Sequence, residues 1–122
     1  ACKVNDLRAC NAMGVATLKG QGVAPDPSTA FALFARVCVA GLADGCDNIR
    51  RMLGMKNVTP QDVKIAVKVF RMACDQKSVA ACGHLGVLYD KGLGIPADPI
   101  KAKTYMDKAC ALGLQGACRK KP

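Results

Sequence analysis

Ala109-Cys110-Ala111-Leu112-Gly113-Leu114-Gln115-Gly116-Ala117-Cys118 sets two cysteines around seven residues. The same spacing returns as Cys2/Cys10, Cys38/Cys46 and Cys74/Cys82. The second cysteines stand at 10, 46, 82 and 118, so each step is 36 residues. A fixed period of this size marks a solenoid of stacked supersecondary units. In that register the units are 10–45, 46–81 and 82–117, with 1–9 a partial unit and 118–122 a stub, all in one domain over 1–122.

Within each unit the residues spell helix, turn, helix. Met13, Ile49 and Leu85 occupy one position and Ala16, Met52 and Leu88 another three residues on, the spacing of a single helical face. Lys19-Gly20-Gln21-Gly22 and Lys91-Gly92-Leu93-Gly94 then put glycine where a first helix ends, because glycine enters the left-handed region without strain. Asp26-Pro27 and Asp98-Pro99 start a second helix, the aspartate capping free N–H groups and the proline fitting the first turn. Ala30, Ala66 and Ala102 let the two helices approach, while Phe34, Phe70 and Met106 fill the gap between units. Strand-type alternation is absent, so the chain is all-α. Cys-x7-Cys joins the end of one second helix to the start of the next first helix.

The middle unit departs from its neighbours. Gly14 and Gly86 become Arg50, and Gly20/Gly22 become Lys56/Val58. Its second helix is expected to start a turn earlier, at Thr59-Pro60, with Asp62 in the first turn. Arg50 has two readings: its guanidinium reaches past its own stem to water, or the central joint is splayed and the arginine faces a partner.

Eight cysteines in 122 residues admit three explanations. Zinc ligation lacks the necessary short spacings, and His84 is the only histidine. Thiol redox catalysis lacks a Cys-x-x-Cys. Disulfides remain, and of 105 pairings the repeat symmetry selects Cys2–Cys10, Cys38–Cys46, Cys74–Cys82 and Cys110–Cys118. Each small loop contributes about 2–3 kcal/mol on the loop-entropy estimate. Disulfides in turn point to an oxidising compartment, secreted or periplasmic.

Composition narrows the function. Five aromatic residues and no Trp suit closely spaced helices packed through Ala, Leu, Val and Met. No window forms a membrane span, and no signal peptide is visible, so the chain reads as a mature or trimmed form. Eighteen Lys and Arg against nine Asp and Glu give +9, with Arg119-Lys120-Lys121 near the end. Nucleic acid does not fit, since the aromatic interleaving of single-strand binders is missing. An acidic protein or an anionic envelope polymer fits better through long-range attraction, and a basic surface that serves only solubility fits equally well. No cofactor or metal site is called for. Ser28 and Ser78 are the only serines, and neither begins the Ser-x-x-Lys of serine β-lactamases. His84 reads as a hydrogen-bonded structural histidine, and no catalytic set emerges.

Met13-Gly14, Leu85-Gly86, Lys91-Gly92-x-Gly94-Ile95, Asp98, Ala102 and Ala109-Cys110-x7-Cys118 resemble the Sel-one-like repeat, an α/α solenoid related to tetratricopeptide repeats. With its paired cysteines the chain is most similar to the cysteine-rich branch, the Helicobacter cysteine-rich protein family. The resemblance covers the whole chain and is weaker in the glycines of the middle unit. It implies a right-handed superhelix whose first helices line a concave face, and a scaffold that binds another protein or peptide. Cysteine-rich members are also described as penicillin-binding or weakly β-lactamase-like, which is the alternative function. Matched by the Leu-Gly position, the concave face carries Asn11, Val15, Leu18, Asp47, Arg51, Gly54, Gly83, Val87 and Asp90, with Arg8, Asp44 and Ala80 just ahead of each unit. Arg51, Asp47 and Asp90 are expected to select the partner. Residues 1–9 match only the end of a unit, and a solenoid needs capped ends, so the natural chain is expected to extend beyond Ala1.

Overall fold

The computed structural model describes residues 6–20, 25–55, 59–92 and 95–113. Among the described residues there are six helices and no strand: α1 Leu7–Lys19, α2 Pro27–Ala40, α3 Ala43–Met52, α4 Pro60–Asp75, α5 Val79–Lys91 and α6 Pro99–Ala111. Their ends follow the local chemistry. Asp26 and Asp98 accept from the backbone N–H of Thr29 and Lys101, each with proline next in line. Gly20 (φ 78°) and Gly92 (φ 67°) close α1 and α5 in the left-handed region. Thr59 and Asp62 form a reciprocal capping box, so α4 starts at Pro60, three residues ahead of the register of Pro27 and Pro99. Gly22, Gly94, Lys56 and Val58 lie outside the described residues.

The helices form two layers of an α/α solenoid. The first helices α1, α3 and α5 lie on one side, and the second helices α2, α4 and α6 on the other. α1 packs on α2 and α5 on α6 within their units. Across the joints α2 packs on α3 and α4 on α5, with α2 also meeting α4 and α3 meeting α5. Phe34, Phe70, Ile49, Leu85 and Leu88 are fully buried, and Ala30, Ala66 and Ala102 sit in the helix contacts. Met13 differs from its register partners Ile49 and Leu85, being exposed. The reason is coverage: α3 and α5 are packed from both sides, whereas α1 packs closely only on α2 among the described elements.

Disulfides seal both described joints. Cys38–Cys46 ties α2 to α3 with 4.6 Å between Cα atoms, and Cys74–Cys82 ties α4 to α5 with 4.8 Å. Cys10 and Cys110 are disulfide-bonded too; Cys2 and Cys118 lie outside the described residues. Each connecting turn needs one left-handed residue at the same register position, filled by Gly41 (φ 115°), Lys77 (φ 73°) and Gly113 (φ 113°). Lys77 is the one described residue that adopts this conformation with a side chain, at a strain cost of about 1 kcal/mol.

The middle unit is built differently, and Arg50 explains why. A Cβ on Gly14 would lie 2.6 Å from the Phe34 ring, and one on Gly86 would lie 2.7 Å from Met106. In both outer units, then, glycine lets the large residue of the second helix lie flat on the first helix. Arg50 closes that seat, and α3 and α4 are not among the closely packed helix pairs. Phe70 instead meets the His84 ring of the next unit, centroid to centroid 5.3 Å. Arg50 itself is half-buried. The loosening lies within the unit, between α3 and α4, while both described joints stay packed and stapled.

Candidate functional site

The first helices are linked by side chains reaching across the joints. Asn48 Nδ2 on α3 donates to Asn11 Oδ1 on α1 at 2.9 Å. His84 Nε2 on α5 meets Asp47 Oδ1 on α3 at 2.8 Å. Both pairs span 37 residues rather than 36: the second position of one unit bonds the third position of the next. His84 is mostly shielded, with one face against Phe70, and is thereby a hydrogen-bonded strut between units. Arg51 Nη1 extends the chain of bonds by donating to Asn48 Oδ1 at 3.0 Å.

These residues border a groove of about 300 Å³ between α1 and α3, lined by Asn11, Val15, Asp44, Asp47, Asn48 and Arg51. Its chemistry is mixed. Two carboxylates accept hydrogen bonds, one guanidinium donates, two amides do both, and Val15 supplies an apolar wall. Such a lining can satisfy the alternating N–H and C=O groups of an extended peptide backbone, which must be paired when water is excluded. The walls are held in place: the Asn11–Asn48–Arg51 relay and the Asp47–His84 contact fix four of the side chains before any ligand arrives.

Of the residues assigned to this face from the sequence, Asn11, Val15, Asp44, Asp47 and Arg51 converge on the groove. Arg8 on α1 and Asp90 on α5 are exposed but lie outside it. Leu18 and Ala80 pack against the core, Gly83 is buried, Val87 is half-buried and Gly54 is exposed in the turn after α3. Asn48 was not among the assigned residues. The signal that finds it is the 37-residue offset, visible once Asp47 and His84 are seen to pair. Ser78 caps α5 by accepting from Ala81 N–H and stands 3.8 Å from Cys46 Sγ; Ser28 is exposed in the first turn of α2. Among the described residues no group of three or more potential ligands could hold a metal ion.

A row of helix pairs, stapled at its joints and carrying a groove between successive first helices, defines a disulfide-stabilised repeat solenoid. The chain belongs to the Sel1 repeat family, whose profile matches residues 7–38, 52–78 and 79–114. It is 32% identical over 113 residues to a Xenopus laevis protein named cytochrome c oxidase assembly factor 7A, covering 87% of this chain and 49% of that protein. Human cytochrome c oxidase assembly factor 7 is 40% identical over 65 residues, covering 48% of this chain and 28% of its own. The chain thus spans at most about half the length of these relatives. Among solved structures, a protective antigen of uropathogenic Escherichia coli strains that displays an SLR fold superposes with a TM-score of 0.61 at 25% identity, over 92% of this chain and 24% of that one. A Sel1 repeat protein from Oxalobacter formigenes superposes with a TM-score of 0.57 at 22% identity, over 92% of this chain and 84% of its own, and shares the fold. No helix among the described residues is long and apolar enough to cross a membrane.

Proposed function

We propose that this chain is a non-catalytic scaffold that holds an extended segment of another protein in the groove between α1 and α3. The observation that carries this reading is the pre-positioned lining of that groove, where donor and acceptor side chains share the wall with the apolar Val15. The assembly-factor names of the relatives agree with a role in bringing proteins together. Asp44, Asp47 and Arg51 would set the register of the bound segment, and the surplus lysines on other faces would govern association rate and salt dependence. An acidic partner finds little to attract it in this groove, so the proposed segment is near-neutral or carries both signs. Arg8 on α1 and Asp90 on α5, both exposed outside the groove, would serve as secondary contacts. The three repeats at 10–45, 46–81 and 82–117 and membership of the cysteine-rich branch belong to the same proposal. So does a secreted or periplasmic setting, which the disulfides favour.

The test replaces Val15 with a photo-crosslinking residue, exposes the full chain to extract of the compartment, and identifies captured proteins by mass spectrometry. A partner is expected that Asp47→Ala and Arg51→Ala weaken and that Lys101→Ala and Lys103→Ala leave bound at moderate salt. Equal binding by both groove variants and the parent would move the interface elsewhere. The penicillin-binding or β-lactamase-like alternative rests on resemblance alone, and background hydrolysis of nitrocefin is the expected outcome.

A further inference from the structure

The second helices carry a surface that the groove reading does not use. On α4, Lys64, Lys68 and Arg71 stand at i, i+4 and i+7 and form one exposed stripe. Ile65 and Met72 form the stripe beside it and are 41% and 46% exposed. α6 is the next second helix, and its Lys108 Nζ stands 4.0 Å from Asp75 Oδ1 at the end of α4. The 36-residue register then aligns Ile100 with Lys64, Lys101 with Ile65 and Lys108 with Met72. At these three positions one helix shows a cation where the other shows an exposed aliphatic side chain, whereas Lys68 is matched by Thr104 and Arg71 by Asp107. Ile100 is 79% exposed, the most exposed of the large hydrophobic residues among those described. The two carboxylates on these outer faces, Asp75 and Asp107, are taken up by Lys108 and Lys103. Lys64, Lys68 and Arg71 make no ion pair among the described residues.

A solvated basic face does not require exposed aliphatic tips among its cations, as Ile65, Met72 and Ile100 are here. The pattern meets two demands at once: negative charge spread over a broad surface, and an apolar layer just beneath it. We propose that the outer face of α4 and α6, through Lys64, Lys68, Arg71, Ile65, Met72 and Ile100, docks on an anionic lipid bilayer. The cations lie at the headgroups and the aliphatic tips enter the boundary below them. An acidic protein could match the charge, but a bilayer supplies both features as one smooth plane, which suits the outer side of a solenoid. The groove stays on the opposite layer, free to hold its segment.

The experiment is co-sedimentation of the full chain with phosphatidylcholine vesicles, with and without phosphatidylglycerol. Binding is expected only to the anionic vesicles. Each cation near an anionic surface contributes about fivefold in partitioning, so Lys64→Ala/Lys68→Ala/Arg71→Ala is expected to weaken it on the order of a hundredfold. Ile65→Ser/Ile100→Ser should weaken it and leave what remains more sensitive to salt. Asp47→Ala/Arg51→Ala should bind vesicles as the parent does, which separates this result from the fate of the groove. All these side chains are exposed, and circular dichroism confirms that each variant folds. Equal binding to neutral vesicles, an undiminished triple variant, an undiminished isoleucine variant, or capture of a polyglutamate peptide without vesicle binding would each overturn the proposal.

Discussion

Three glycines test how closely the helices approach, because alanine offers the same local gain at each and meets a different obstacle. Replacing a helical glycine by alanine stabilises the helix by about 0.5–1 kcal/mol when space allows. At Gly45 the new Cβ would sit 2.7 Å from Cys38 N, Phe34 O and Val37 Cγ1, so it meets the backbone of α2 at the stapled joint. At Gly14 it meets the Phe34 ring, at 2.6 Å from Cε1, and that ring is fully buried. At Gly86 it meets Met106 Cγ and Sδ at 2.7 Å, a flexible and half-buried side chain. Overpacking costs about 1–3 kcal/mol, most where nothing can yield. The net expectation is a loss of about 2 kcal/mol for Gly45→Ala, about 1 for Gly14→Ala and roughly none for Gly86→Ala. At about 4 °C per kcal/mol for a chain of this size, the Tm values fall by roughly 8, 4 and 0 °C. Non-reducing thermal melts followed by circular dichroism read this directly. A reversed order, or three equal stabilisations, would refute the close approaches on which the account of Arg50 also rests.

Lys77→Gly should stabilise the chain by about 0.5–1 kcal/mol, since it relieves the left-handed lysine at the second joint, and a denaturant midpoint that falls would contradict this. Cys74→Ala/Cys82→Ala should cost about 2–3 kcal/mol by releasing the α4–α5 joint. In the parent, Cys38, Cys46 and Cys82 are fully buried, so thiol trapping should show those bridges resisting reductant until urea opens the fold. Burial, then the stacked Tyr89, raises the Tyr105 pKa above the ordinary tyrosine range. The folded state therefore holds that proton longer: the contribution is full below about pH 10 and is lost as pH rises through the folded pKa. Absorbance titration should show one tyrosine ionising late, and Tyr105→Phe should remove that part of the alkaline loss of stability.

What the chain reveals without coordinates is what its chemistry settles within a few residues. An aspartate cap acts on an N–H three positions away, a proline restricts its own turn, and a cysteine pair spans one connecting turn. The helix starts at Pro27, Pro60 and Pro99, the left-handed glycines and the two described staples could all be read in this way. The period extended that reading to the order of the helices, and the family resemblance, matched by the Leu-Gly position, pointed to five of the six residues lining the groove. Tertiary structure decided what depends on how one helix crosses another. Periodicity aligns like positions 36 apart, but the crossing of successive first helices shifts their contact by one residue, so Asn11 finds Asn48 and Asp47 finds His84. Arg50 was visibly out of place, yet only the packing shows that it parts α3 from α4 and sends Phe70 to His84. Met13 shares a pattern position with Ile49 and Leu85 and is nonetheless exposed, because burial comes from the neighbouring helices and not from the residue's own place in its repeat.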